Sequence, residues 1–114
     1  MEINKTRVIY VDIDETICEI PEPRNYHNAK PIKENIYKIN RLYDDGNTIV
    51  YWTARGSRTQ INWYDLTKKQ LDESGVLYHE LKMGKPAYDL LIDDKSVNNL
   101  LEVRNLKSIF WNRL

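Results

Sequence analysis

Apolar and polar positions alternate along this chain in two rhythms. Val8-Ile9-Tyr10-Val11 is an unbroken apolar run, which suits a strand buried on both faces and places a first strand near residues 6–12. From Pro31 the apolar positions Ile32, Ile36, Ile39, Leu42 and Tyr43 keep helical spacing, with Pro31 suited to a first turn and Gly46 to a stop. Thr48-Ile49-Val50-Tyr51-Trp52-Thr53 reads as a second buried strand, rich in β-branched and aromatic residues. A polar loop, Ala54 to Thr59, leads into a second helix near 60–74, closed by Gly75. Val76-Leu77-Tyr78-His79 is expected as a short third strand and Tyr88-Asp89-Leu90-Leu91-Ile92 as a fourth. The stretch Glu19 to Asn28 carries Pro21 and Pro23 and reads as an exposed hairpin or loop. Beyond Val97 the pattern is ambiguous: Leu100 to Leu106 suits a helix, and Ser108-Ile109-Phe110-Trp111 a last strand. Alternating strands and helices predict an α/β domain with a mainly parallel sheet.

Composition narrows the class. A chain of 114 residues, 41% hydrophobic and 30% charged, is expected to form one domain over 1–114 with a sheet and helices on it. Seventeen basic and seventeen acidic side chains cancel, which counts against a protein built mainly to hold nucleic acid or an anionic membrane. Cys18 is the only cysteine, so neither a disulfide framework nor a thiolate zinc cluster is expected. The first residues lack a signal peptide's apolar core, and no apolar stretch approaches the roughly 18 residues of a membrane span. The expected compartment is the cytoplasm.

The chemistry gathers where strands end. Asp12 and Asp14 close the first apolar run; on an ideal strand they share a face, with carboxylates within roughly 7 Å. Such a pair repels unless a cation, a shared proton or a cationic group relieves it. Thr53 closes the second strand, Lys85 lies in the Met83-Gly84-Lys85-Pro86 turn, and Asp93-Asp94 follow the fourth strand. Open parallel sheets bind ligands at the carboxyl ends of their strands, so this convergence points to a site. Arg55 and Arg58 suit either a second anionic group on a substrate or plain exposure. The aromatic residues Tyr51, Trp52, Trp63 and Tyr64 fit core better than a stacking platform.

Asp12-Ile13-Asp14-Glu15-Thr16, Thr53, Lys85 and Leu91-Ile92-Asp93-Asp94 occur in the order of the four motifs of the haloacid dehalogenase superfamily, and the chain resembles that superfamily over roughly residues 6–98. Asn28-Ala29-Lys30-Pro31-Ile32, Thr53-Ala54-Arg55-Gly56 and Gly84-Lys85-Pro86 look like a group of small members assigned to capsule or surface-sugar biosynthesis. The resemblance implies a three-layer α/β/α, Rossmann-like domain with minimal or no cap. About fourteen residues between Thr16 and Pro31, and about thirty between Thr53 and Lys85, are too few for a folded cap.

The resemblance also implies an activity: magnesium-dependent hydrolysis of a phosphomonoester through an aspartyl-phosphate. Asp12 would be the nucleophile and Asp14 the acid and base; a second acid here separates phosphatases from dehalogenases and from pumps that carry lysine. Thr53 would bond the phosphoryl group and Lys85 balance its charge, with Lys82 and Lys95 competing for that place. Mg2+ would sit on Asp12, the Asp14 carbonyl and Asp93, with Asp94 beside it. Backbone at Ile13 and Ala54, with Arg55 and with His27 on the loop over the site, would contact a small substrate, a sugar phosphate first. The alternatives are a nucleotide or nucleic-acid end phosphatase and a non-catalytic phosphate-binding or receiver-like module.

Overall fold

The computed structural model describes residues 6–97. Three strands, β1 (Val8–Val11), β4 (Thr48–Trp52) and β5 (Glu80–Lys82), form a parallel sheet in the order β1-β4-β5. β1 lies beside β4 with Val8 opposite Thr48 and Val11 opposite Tyr51, and Trp52 lies opposite Lys82 on the other side. Two parallel connections carry the helices α1 (Lys33–Asp44) and α2 (Tyr64–Glu73). A two-stranded antiparallel hairpin, β2 (Cys18–Glu19) with β3 (Lys30–Pro31), fills the path from β1 to α1.

Side-chain alternation explains the layering. Ile9, Val11, Ile49, Tyr51 and Leu81 meet Ile36, Ile39 and Leu42 of α1 and Leu71 of α2, so one sheet face holds the core. Ile13, Ile17 and Ile20 extend that core under the hairpin. On the opposite parity of β1, Val8 and Tyr10 are exposed. The α/β class, the parallel sheet and both helices agree with the sequence pattern, as does the hairpin.

Two strands differ from expectation. The third strand falls on Glu80–Lys82 rather than 76–79. After α2 the chain turns at Gly75 (φ 74) and spends Val76 to Tyr78 crossing to the sheet, reaching β4 where the His79 N–H donates to the Ile49 carbonyl at 2.9 Å. The fourth strand does not form: residues 88–92 pair with nothing in the sheet, and Leu90, Leu91 and Ile92 are exposed. An apolar run states that burial is favourable, but a strand also needs an edge in register, and Gly84 and Pro86 turn the chain after β5. The expected helix at 100–106 and strand at 108–111 lie outside the described residues.

Candidate functional site

Parallel pairing brings three separated residues to one edge. Asp12 follows β1, Thr53 follows β4, and Lys85 stands three positions past β5, all at carboxyl ends. The Thr53 N–H donates to the Lys82 carbonyl and the Lys85 N–H to the Thr53 carbonyl, each at 3.0 Å. Ser57 Oγ donates to the Lys85 carbonyl at 2.7 Å, so the lysine's backbone is held from both sides. Its side chain, mostly buried, reaches Asp12 with Nζ 3.4 Å from Oδ1. Lys82, which competed for this role in sequence, donates instead to the Tyr10 hydroxyl at 3.0 Å.

The loop after β4 needs its glycine. Gly56 has φ 82, and a Cβ there would overlap the Ile61 carbonyl oxygen. The tight turn also brings the Arg55 N–H to Thr53 Oγ1 at 3.1 Å. Thr53 is buried, and its hydroxyl oxygen accepts that bond while its O–H remains a donor.

Asp14 does not continue the strand. Thr16 and Ile17 N–H groups turn back to the Ile13 carbonyl, Glu15 adopts φ 64, and the Glu15 N–H donates to the Cys18 carbonyl at 2.7 Å. Asp12 and Asp14 each meet a cationic side chain of their own. Asp12 faces Lys85, while Asp14 meets Arg55 in a fork, with Nη2 to Oδ1 at 2.7 Å and Nε to both oxygens at 3.2 Å.

Arg55 was expected at a substrate anion or at the surface and is at neither. It is 2% exposed, and its remaining donors reach Thr67 Oγ1 at 3.1 Å, Gln70 Oε1 at 2.7 Å and Cys18 Sγ at 3.8 Å. Its guanidinium lies over the Tyr26 ring, 4.6 Å from the centroid, and Gln70 donates onward to the Tyr26 carbonyl at 2.6 Å. Thr67 and Gln70 were not among the residues read from sequence. Their signal was a polar pair three positions apart on one helix face, beside Leu71. Cys18 touches the same carboxylate, and burial, reinforced by the charge of Asp14, pushes its thiol up to about 12.

The other expected site residues are placed as follows. Ile13 is buried, with its carbonyl committed to the turn, and the Ala54 carbonyl accepts from the Ser57 N–H. His27 is exposed on the hairpin, its Nδ1 3.0 Å from Asn25 Oδ1 and its ring against Trp63. Asp93 and Asp94 are exposed, and no group of three or more acidic, histidine or cysteine side chains gathers in a metal-holding arrangement among the described residues. A cavity of about 350 Å³ lies behind Arg55, between the hairpin and α2.

No family model matches the chain, and no curated protein matches it. A crystal structure of a structural-genomics target protein from Vibrio cholerae is similar to it: 26% identity over 96% of this chain and 100% of that one, with a TM-score of 0.76. No helix among the described residues is long and apolar enough to cross a membrane.

Proposed function

We propose that this chain is a phosphomonoester hydrolase of the haloacid dehalogenase type, a single three-layer α/β/α domain that works through an aspartyl-phosphate on Asp12. The observation that carries the reading is the meeting of Asp12, Thr53 and Lys85 at one sheet edge, with Asp14 fixed two residues from Asp12. Those are the parts phosphoryl transfer needs: a nucleophile, charge balance for the phosphoryl oxygens and a proton for the leaving group. The exposed face of β1, carrying Val8 and Tyr10, is where a third layer would lie.

An Asp12 oxygen forms a bond to phosphorus as the bond to the leaving oxygen breaks, and Asp14 gives that oxygen its proton. Water then attacks phosphorus while Asp14 takes its proton, the bond to Asp12 breaks, and inorganic phosphate leaves with both carboxyl groups restored. Lys85 lowers the charge on Asp12 and phosphate together, and Thr53 donates to a phosphoryl oxygen. The donors suit magnesium, which keeps several waters and takes one or two carboxylates plus substrate phosphate. Asp12, the Asp14 carbonyl and Asp93 would hold it, with Asp94 beside them. When bound, Mg2+ neutralises phosphoryl charge.

The first substrate class is a sugar phosphate or a related small metabolite. One observation favours the second reading, a nucleotide or nucleic-acid end phosphatase. Lys85 Nζ lies 5.8 Å from the Trp52 ring centroid and 5.4 Å from that of Tyr88, whose exposed ring offers a base a stacking surface. The test is turnover of sugar phosphates, nucleotides and end-phosphorylated oligonucleotides, with magnesium and with a chelator. Asp12→Asn keeps the shape and should lower hydrolysis by about three orders of magnitude or more. Retention of more than about a tenth of wild-type activity removes Asp12 as nucleophile.

A further inference from the structure

We infer that Arg55 is a positioning residue for Asp14, holding its carboxyl so that Oδ2 is the oxygen that carries the catalytic proton. The inference rests on the phosphatase reading. Asp14 Oδ1 is crowded: it accepts from Arg55 Nη2 at 2.7 Å and from Nε at 3.2 Å, and Cys18 Sγ lies 3.5 Å away. Oδ2 has one long contact, to Nε at 3.2 Å. A proton on Oδ1 would face three donors, so it belongs on Oδ2. The Asp14 side chain is 17% exposed, enough to meet a leaving group, whereas that of Arg55 is 1% exposed.

The fork is itself held. Thr67 and Gln70, on one face of α2, take both hydrogens of Nη1, and the Tyr26 ring covers the guanidinium plane. Arg55 therefore cannot rotate without breaking bonds to α2 and losing the hairpin contact. Gln70 spans the two, bonding Arg55 with one end and the Tyr26 carbonyl with the other. A buried ion pair is seldom the most stable filling for its volume, since well-packed apolar side chains often do as well. What the guanidinium adds is orientation, through five donors in a fixed plane that an ammonium lacks.

The test is a double-mutant cycle read with two esters, an alkyl phosphate that needs a proton on departure and an aryl phosphate that needs little. Arg55→Lys keeps the charge and loses the fork. It should lower kcat/KM, which reads the steps up to departure of the leaving group, on the alkyl ester by about 100-fold, the size expected for a misplaced catalytic group, and on the aryl ester by less than about 10-fold. In an Asp14→Asn background the same substitution should cost less than about 3-fold, because the group it positions is already lost. Equal losses on both esters, or the same factor in both backgrounds, overturn the role and leave the phosphatase reading standing. If Arg55→Lys does not melt cooperatively, Gln70→Leu, which frees one side of the fork, takes its place with an expected alkyl-ester loss of about 5-fold and the same comparisons. Absence of turnover by the wild type on every phosphate ester overturns both the reading and this role.

Discussion

Tyr51 is a residue whose sequence signal and energetic consequence diverge. Its place in a β-branched and aromatic run marks it as core, and it is fully buried, but its hydroxyl finds no partner among the described residues. A buried donor without a partner costs about 1–3 kcal/mol, so Tyr51→Phe should raise unfolding free energy by about 1 kcal/mol. Denaturant titration reads this directly, and a loss of similar size would mean that the hydroxyl is satisfied after all. Cys18 gives a prediction with a pH axis. Its thiol is held protonated up to about 12, against 9.0 when free, because burial disfavours the thiolate and Asp14 adds to that. Between those values the unfolded chain has released a proton that the folded chain keeps. The contribution is therefore complete below pH 9 and declines up to about 12, by as much as about 1.4 kcal/mol per pH unit. Melting temperatures in chelator should fall more steeply above pH 9 for wild type than for Cys18→Ala. Parallel slopes would mean that the thiol titrates normally.

At the scale of elements, the site depends on a loop as much as on strands. Gly56 lets the chain after β4 double back onto Ile61, and the same loop pins Lys85 through Ser57. Gly56→Ala forces a Cβ into backbone at a positive φ, and it should destabilise the fold by about 1–3 kcal/mol. Because this loop starts from Thr53 and holds the Lys85 backbone, activity of the folded fraction should fall as well; stability loss with full activity would show that the loop does not set the site. This dependence also marks how far the sequence was legible. β1, α1, β4 and α2 could be read because their periods repeat over several residues, and Asp12 and Thr53 because each stands just past a strand's carboxyl end; Lys85 was singled out from Lys82 and Lys95 only by the order of the motifs it resembles. β5 was displaced because Val76 is buried on the way to the sheet rather than in it. Arg55 was illegible for a different reason. Its pattern is that of any loop arginine, and its burial is created by Asp14, 41 positions away, and by Thr67 and Gln70 on a later helix. Contacts of that range leave no trace in local periodicity.

At the scale of the whole molecule, charge is settled before any metal arrives. Two carboxylates as close as those of Asp12 and Asp14 repel unless a cation, a shared proton or a cationic group relieves them. Here each carboxylate has its own cationic side chain, Lys85 for Asp12 and Arg55 for Asp14. Asp12→Asn therefore loses an ion pair and should not gain metal-free stability. Magnesium should stabilise only by binding the folded chain in preference to the unfolded one. At 100 times the dissociation constant that linkage amounts to about 2.7 kcal/mol, which in a domain of this size corresponds to a rise in melting temperature of about 10 °C. The rise should grow logarithmically with free magnesium and nearly vanish in Asp12→Asn. Asp93→Ala should reduce it further than Asp94→Ala does, which asks whether Asp93, exposed in this structure, turns toward Asp12 when the ion is present. A melting temperature that stays flat across the titration, with activity equally indifferent to a chelator, would take the metal out of the proposed mechanism. Lys85 and Thr53 would then be left to balance the phosphoryl charge without it.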